Sequence, residues 1–386
     1  TEVCRHHLIA DHLPDGAEEE VTKAIKRLER LTNKEFGGEG DPLLVSVRSG
    51  GAVSMPGMMD TILNLGLNDR TVEALARISG NECFAYDSYR RFLQMYSDVV
   101  LDVGHHSFEA ILSDVKDHAG VETDNELDAD ALRTVVRRYK ELIEAQSNAP
   151  FPEEPEAQLW GAIEAVFRSW QTPRAKRYRE VENIRGLQGT AVNVQSMVYG
   201  NMGDDSGTGV AFTRDPSTGQ NKFYGEFLIN AQGEDVVAGI RNTEPIAKLN
   251  DDMPEVYNQF VDICDTLEEH YKDMQDVEFT IEQGKLWMLQ TRDGKRTARA
   301  AIKIAVDMVE EGLITKKQAL MRVTPDQVDM LLHPQFGGET KIQAANEGKQ
   351  IVKKAVNASP GAAVGVAAFD ADIADEWGKE GKPVIM

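Results

Sequence analysis

The order of two contrasting halves constrains the fold of this chain more than any other feature of its sequence. Residues 69–147 read as helix, with charged faces and few glycines. Residues 188–291 instead contain short β-branched and aromatic runs separated by Gly, Asp and Pro. Further helices are predicted over 18–32, 154–170 and 297–332. Helices and strands that occur in separate blocks predict an α+β fold.

Several short apolar runs are predicted as strands because turn residues bound them on both sides. The predicted strands are 43–47, 189–198, 209–213, 223–229 and 277–281, with a hairpin over 279–289. Residues 50–59 are unusually rich in Gly and Met and are predicted as a loop.

Length and charge limit the classes of function. The chain has 386 residues, with 64 acidic side chains against 42 Lys and Arg, and a formal net charge of -22. This length predicts two to three domains. The negative charge opposes binding to nucleic acid or to anionic membranes, since their phosphates would be repelled. A phosphate-bearing ligand held by a few arginines and backbone N–H groups is still possible.

Cysteine usage and hydropathy indicate the compartment. Cys4, Cys83 and Cys264 lie far apart without metal-binding spacing, and an odd number of cysteines fits a reducing compartment. No run of about 18 apolar residues occurs, so no membrane span is predicted. We therefore expect a cytoplasmic protein.

Two Gly-rich segments could hold phosphate. Arg48 ends a predicted strand and leads into the 50–59 loop, where a guanidinium beside backbone N–H groups would suit a phosphate. Thr208 lies between Gly207 and Gly209, which permit close approach of a ligand to the backbone. Each segment also has an ordinary interpretation, as a turn with a surface ion pair or as a plain hairpin.

A third segment places carboxylates along one face of a predicted strand. Asp276 and Glu278 alternate with apolar residues, and Mg²⁺ takes one or two carboxylates together with substrate phosphates. The alternative is an alternating strand whose polar face is simply solvated.

The length of the hairpin loop decides which residues join those carboxylates. A two-residue loop at 283–284 would place Gln290 opposite Val277, on the apolar face. A three-residue loop with one residue in the left-handed region would place Gln290 opposite Glu278. We favour the second register because it gathers Gln290 and Arg292 with the two carboxylates.

Taken together, these segments resemble the pyruvate, phosphate dikinases of the phosphoenolpyruvate-utilising enzyme family. The run Ser-Met-Pro-Gly-Met-Met-Asp-Thr-Ile-Leu-Asn-Leu-Gly-Leu-Asn-Asp at 54–69 is close to diagnostic. Segments 209–213, 230–239 and 289–292 also match, and the resemblance covers essentially the whole chain. A phosphoenolpyruvate synthase-like dikinase remains an alternative, although those enzymes differ at 54–69. A catalytically silent fragment that binds a nucleotide or a partner protein is another.

The resemblance implies an ATP-grasp nucleotide-binding region with a helical insert, a helical linker and the start of a swivelling phosphohistidine domain. The implied boundaries are 1–68 and 154–200 for the first ATP-grasp subdomain, 69–153 for the insert, 201–297 for the second subdomain, 298–350 for the linker and 351–386 for the phosphohistidine domain.

The resemblance also implies a reaction and a set of site residues. In the family, ATP and phosphate phosphorylate a histidine, giving AMP and pyrophosphate, and the phosphohistidine then converts pyruvate to phosphoenolpyruvate. Carried over by motif, the ATP-binding residues are Arg48, Gly57, Thr208, Gly209, Asp276, Gln290 and Arg292, and the Mg²⁺ ligands are Glu278 and Gln290. Arg48 and Arg292 would hold the triphosphate, and Gly57, Thr208 and Gly209 would belong to loops closing over it.

Several family features fall outside these 386 residues. The phosphorylated histidine is expected after Met386, so no catalytic residue is expected in this chain. A lysine for ATP is expected before Thr1, and Ala52 stands where the family has an arginine. The pyruvate-binding barrel, through which the full-length enzyme is expected to dimerise, is also absent. We therefore expect an internal fragment that binds ATP and phosphate, from a cytoplasmic or organellar enzyme.

Overall fold

The computed structural model divides the chain into two compact units, Thr1–Met202 and Gly203–Met386. It describes residues 1–53, 55, 57–238, 242–332, 339, 343–344, 346–347 and 364–386. Most of the predicted linker beyond residue 332, and the predicted start of the phosphohistidine domain at 351–363, lie outside these residues. Within the described ranges, no helix has both the length and the apolar character that a bilayer crossing requires.

The first unit contains eight helices and five strands among its described residues. They are α1 (Glu2–Ala10), α2 (Ala17–Thr32), β1 (Glu35–Phe36), β2 (Pro42–Leu43), β3 (Val45–Ser49), β4 (Thr61–Leu65), α3 (Asp69–Ser79), α4 (Glu82–Val99), α5 (His105–Ala119), α6 (Ala129–Ser147), α7 (Pro155–Ser169), α8 (Pro173–Val181) and β5 (Val192–Ser196).

The predicted helical block between the strands of the first unit is confirmed. Helices α3 to α6 follow β4, and the chain then returns through α7 to β5, which pairs with β3 in the antiparallel order β4-β3-β5. Asn68 starts the block because its side chain accepts N–H bonds from Arg70 and Thr71, while Thr71 accepts the N–H of Asn68. Edge-to-face contacts of Phe92 and Tyr96 with Phe151, at 5.6 and 5.4 Å, join the block to the segment before α7.

The described part of the second unit is built on a five-stranded antiparallel sheet. Its elements are β6 (Gly207–Phe212), β7 (Tyr224–Ile229), α9 (Gly233–Ala238), β8 (Glu244–Pro245), α10 (Leu249–Asp252), α11 (Pro254–Tyr271), β9 (Gln275–Glu282), β10 (Lys285–Asp293), α12 (Ala298–Glu310), α13 (Lys316–Arg322), α14 (Pro325–Leu332), β11 (Val366–Ala367), α15 (Ala371–Lys379) and β12 (Val384–Ile385). The sheet order is β10-β9-β6-β7-β8, and β11 pairs with β12 separately.

Helix α11 covers one face of this sheet, called here the apolar face. Val277, Phe279 and Ile281 of β9 point to that face and are fully buried in one cluster with Phe260 and Cys264 of α11. Because side chains alternate along a strand, the residues between them point to the opposite face, called here the polar face. Burial of the apolar residues therefore fixes which carboxylates share the polar face.

A buried arginine ties β6, α11 and α12 together. The Arg214 side chain is 1% exposed, and its guanidinium donates to both carboxylate oxygens of Glu268 at 2.8–3.1 Å and to both of Glu311 at 2.6 and 3.0 Å. Burial would lower the pKa of Arg214, but its hydrogen bonds and charge interactions with the two glutamates outweigh burial and raise the pKa. One guanidinium thus bonds all four carboxylate oxygens, so removing Arg214 alone would leave two carboxylates without their shared cation.

Replacing Arg214 by Met should lower the free energy of unfolding by about 3 kcal/mol or more, since it leaves two carboxylates facing each other without a cation. Urea denaturation followed by circular dichroism measures the change. The matched control is Arg177→Met, which removes a guanidinium from a pair whose side chains are 75% and 68% exposed and should change stability little. Equal effects of the two substitutions would contradict a structural role for Arg214.

Candidate functional site

Four of the residues selected from the sequence meet on the polar face of the five-stranded sheet. Asp276 pairs with Arg292 and Glu278 with Gln290 across the β9–β10 ladder, and directly opposed residues of a pair point to the same face. The predicted juxtaposition of Asp276, Glu278, Gln290 and Arg292 is therefore present.

The predicted pairing of β9 with β10 is present, but the three-residue loop that we expected to produce it is wrong. The loop has two residues, Gln283 and Gly284, with φ of 49° and 74°, as in the type I′ turns that two-residue hairpins favour. The pairing then shifts by one residue between Met288 and Gln290, so Leu289 is the extra residue of a β-bulge. The bulge turns Gln290 and Arg292 to the polar face and leaves Thr291 on the apolar face.

Arg292 bridges the two carboxylates. Its Nε donates to Asp276 Oδ2 at 2.7 Å, and its Nη2 donates to Glu278 Oε1 at 2.8 Å. The exposed fractions of the three side chains are 24% for Arg292, 18% for Asp276 and 20% for Glu278. These fractions show that the charged groups are partly buried and that part of each one stays open to solvent or to a ligand.

Burial and charge shift the pKa values of this cluster. Burial raises the pKa of Asp276, and the negative charge of Glu278 raises it further. The ion pair with Arg292 lowers the pKa but does not cancel this increase. For Arg292, burial would lower the pKa, but the bonds to Asp276 and the charges of both carboxylates raise it above its ordinary value. Arg292 is therefore charged, whereas ionised Asp276 is held at a cost.

The oxygen donors of the cluster fit Mg²⁺ better than a soft metal. Asp276 and Glu278 supply carboxylates and exposed Gln290 supplies an amide oxygen, all of them hard ligands. In the part of the chain that the structure describes, no three His, Cys, Asp or Glu side chains converge as a metal site. Two carboxylates suit a metal that also binds substrate phosphates, which is how Mg²⁺ is commonly held.

Thr208 and Gly209 lie in strand β6 and not in the loop that the resemblance implied. Thr208 is on the polar face opposite Thr280, and its hydroxyl donates to the Phe279 carbonyl at 3.1 Å. Gly209 points to the apolar face, where an added Cβ would lie 2.5 Å from Cζ of Phe279 and 2.8 Å from the Glu226 carbonyl oxygen. The physical reason for Gly209 is thus close strand and ring packing.

Arg48 and Gly57 belong to the first unit. Arg48 lies near the end of β3, partly exposed, opposite Thr61 of β4 and Asn193 of β5. Gly57 lies exposed after the strand with φ of 70°, a conformation that favours glycine. The structure is consistent with the predicted loop at each described residue of 50–59, because none of them is in a helix or strand.

Sequence reasoning missed the anchoring of that loop. Met55 is buried in a cluster with Trp170 and Ala175, against which Met58 and Met59 also pack. The side chain of Arg174 donates to Asp60 just beyond the loop. Methionines in a Gly-rich loop are the sequence signal, since their flexible side chains fill irregular apolar gaps.

Thr280 also lies on the polar face, as its alternation with apolar residues predicted, although it was not selected as a site residue. It is buried opposite Thr208 and lies two residues after Glu278 on the same strand. The alternation along β9 already indicated its face, but a threonine carries no pattern that separates a ligand contact from a strand-forming residue.

Comparison with known proteins identifies the family of the chain. A family model described as the pyruvate phosphate dikinase AMP/ATP-binding domain matches residues 1–257 and 247–313. The two matched ranges include every residue selected for ATP or Mg²⁺.

Curated relatives share about half of the residues. The chain is 53% identical to "Pyruvate, phosphate dikinase" of Rhizobium meliloti (strain 1021), with 97% of this chain and 42% of the relative covered. It is also 53% identical to the protein of the same name from Clostridium symbiosum, covering 100% of this chain and 44% of the relative. With "Pyruvate, phosphate dikinase 1, chloroplastic" of Arabidopsis thaliana the identity is 52%, covering 100% and 40%.

The chain thus spans about two fifths of the length of these relatives. The family model nevertheless matches well over half of the chain, and the relatives align along nearly all of it. On this evidence the chain belongs to the pyruvate phosphate dikinase AMP/ATP-binding domain family.

Proposed function

We propose that this chain binds Mg²⁺ and ATP as the nucleotide-binding part of a pyruvate, phosphate dikinase. The observation that carries the proposal is the Arg292 bridge between Asp276 and Glu278 on an accessible polar face, in a member of this family. The complete reaction would convert ATP, phosphate and pyruvate to AMP, pyrophosphate and phosphoenolpyruvate through a phosphohistidine.

The charge of the cluster explains why ATP would need Mg²⁺. Asp276, Glu278 and Arg292 together carry about one negative charge when all are ionised, which repels a triphosphate. A bound Mg²⁺ neutralises phosphate charge and reverses the sign at the cluster. Glu278 and Gln290 would hold the metal, and Arg292 would contact phosphate oxygens. Such positioning and charge neutralisation are the usual basis of phosphoryl transfer.

The remaining site residues divide into two groups in this proposal. In the second unit, Thr208 and Gly209 shape the floor of the site through β6, Thr208 from the polar face and Gly209 by permitting close packing beneath it. Arg48 and Gly57 of the first unit would contribute a guanidinium and a Gly-rich loop for phosphates. Positive φ at Gly57 supports a tight turn in this loop.

The finer architecture and the cellular context are also proposals. An ATP-grasp region with a helical insert and a following swivelling phosphohistidine domain agrees with the mixed helix and sheet structure. Phosphate would be a further substrate, and pyruvate and dimerisation would involve the full-length enzyme. A cytoplasmic or organellar location is proposed, and one relative is named as chloroplastic.

Replacing Glu278 by Gln should weaken ATP binding in the presence of Mg²⁺ by about ten- to a hundredfold, since it removes a charged metal ligand. The variant should also lose the gain in affinity that Mg²⁺ gives the unmodified chain. Isothermal titration calorimetry with and without Mg²⁺ measures both effects.

The control for this experiment is Glu269→Gln, which makes the same change at an exposed position on α11. It should leave ATP affinity and its Mg²⁺ dependence unchanged. Unaltered ATP affinity and Mg²⁺ dependence in Glu278→Gln would mean that the polar face is not the metal site.

The raised pKa of Asp276 predicts a pH-dependent cost of the site. The folded protein binds the Asp276 proton more tightly than the unfolded chain does, because the pKa of Asp276 is raised from 3.8 on folding. This difference stabilises the fold fully below pH 3.8, and the stabilisation is lost as pH rises through the raised pKa. In Asp276→Asn this loss is absent, so the stability of the variant relative to the unmodified chain should increase as pH rises above about 4.

Urea denaturation between about pH 4 and pH 7 tests this linkage. Asp262→Asn, at an exposed position on α11, is the control and should show a stability difference that is independent of pH. If the stability difference between Asp276→Asn and the unmodified chain is also independent of pH, burial does not destabilise the ionised Asp276 carboxylate.

Replacing Arg48 by Met should weaken ATP binding by about ten- to a hundredfold, because one charge-assisted hydrogen bond to a phosphate is lost. Tripolyphosphate binding should fall by the same factor, since the contact is to phosphate. The control for calorimetry is Arg137→Met, at a position in the helical block where the arginine side chain is 62% exposed. Equal affinities of both variants would exclude Arg48 from the site.

A further inference from the structure

One buried side chain beside the polar face has an unused hydrogen-bond donor. Gln232 is 7% exposed, and its Nε2 has no hydrogen-bond partner among the described residues. A primary amide nitrogen carries two N–H donors, and buried polar groups are nearly always paired. An unpaired buried donor lowers stability, so its presence calls for a physical explanation.

The main chain holds Gln232 firmly in place. Its N–H donates to Asp235 Oδ2 at 2.9 Å, and its carbonyl accepts the Asp235 N–H at 3.0 Å. These bonds close the turn that leads into α9. The unpartnered amide is therefore not explained by a poorly fixed backbone.

The turn that carries Gln232 sits on the polar face. Ala231 and Val236 pack in one cluster with Leu228 and Val210, whose side chains point to that face. A Cβ added to Gly233, the next residue, would lie 3.9 Å from Thr208 Oγ1. The turn that carries Gln232 is thus beside Thr208, on the same side of the sheet as the carboxylate–arginine cluster.

The sheet register gives the separation between Gln232 and that cluster. Thr208 pairs with Thr280, and the next pair on the same face is Val210 with Glu278. Two residues along an antiparallel strand span about 7 Å, and the Asp276 row is a further 7 Å away. If the phosphates and the metal of a ligand lie at Glu278 and Arg292, the part of the ligand near Gln232 is one other than its phosphates.

We propose that Gln232 determines nucleotide specificity by donating a hydrogen bond from Nε2 to an acceptor in the nucleoside part of ATP, on the base or the ribose. The inference rests on the proposed ATP binding. It explains the unused donor, because the ligand supplies the missing acceptor. Glutamine amides also match the donor and acceptor pattern of the adenine edge.

The test compares three ligands with Mg²⁺ present: ATP, ribose 5-triphosphate and tripolyphosphate. Gln232→Met keeps the length of the side chain and removes the donor. It should weaken ATP binding by about two- to tenfold and leave tripolyphosphate binding unchanged. A loss with ATP alone assigns the acceptor to the base, and a loss with ATP and ribose 5-triphosphate assigns it to the ribose. Calorimetry gives the affinities.

Thermal unfolding separates a ligand contact from a structural role. Gln232→Met should not lower the unfolding temperature of the free protein, because the Nε2 that it removes has no hydrogen-bond partner among the described residues. Gln232→Glu, which keeps the shape and replaces N–H donors by oxygens, is a second variant and should weaken ATP binding further. The control is Gln259→Met, at an exposed position of α11 on the other side of the sheet, which should bind all three ligands normally.

The failures of the two proposals are distinguishable. If the unmodified chain does not bind ATP with Mg²⁺, the proposed function is wrong. If it binds ATP and both Gln232 variants bind ATP equally well, the role of Gln232 is wrong. Equal losses with ATP and tripolyphosphate, together with a lower unfolding temperature, would also overturn it in favour of a structural role.

Discussion

The candidate site depends on one interaction, the bridge from the Arg292 guanidinium to the carboxylates of Asp276 and Glu278. Two carboxylates on alternate residues of one strand repel each other, and a cation between them makes their partial burial tolerable. The bridge requires Arg292 to face β9, and a two-residue turn alone would send it to the apolar face. The bulge at Leu289 restores it, so a single extra residue in an edge strand determines whether the site exists.

Two features on the polar-face side of the sheet lower the stability of the fold. Asp276 has a raised pKa, so its charged form is held at a cost that Arg292 only partly offsets. Gln232 buries an amide donor that has no partner in the described part of the chain. Both features are unfavourable in the free protein, and both would become favourable on binding a metal nucleotide, through a cation for the carboxylate and an acceptor for the amide. Functional sites commonly retain such local costs, which the rest of the fold outweighs.

Strand and helix periodicity predicted most of the second unit, including the alternation that places Asp276 and Glu278 on one face. Periodicity did not predict the features that depend on a single residue, such as a β-bulge that shifts the pairing of two strands. The sequence around Leu289 has no Gly or Pro to mark a bulge, so the correct register was predicted through the wrong loop. The predicted strand 209–213 includes Gly209, and only the family resemblance implied a loop there; close strand packing explains this glycine. Gln232 was not predicted, since the unpaired state of a side chain depends on tertiary packing.

Two arginines in the second unit are paired alike but differ in exposure, and the exposure of Arg292 is what makes it a candidate ligand contact. Arg214 and Arg292 each bridge two carboxylates with similar bond lengths, and the pKa of each is raised. The Arg214 side chain is 1% exposed and engages both oxygens of each partner, so no ligand can reach it without breaking the fold. Arg292 is 24% exposed and contacts one oxygen of each partner, so an incoming phosphate or metal can join the cluster while the sheet beneath it stays intact.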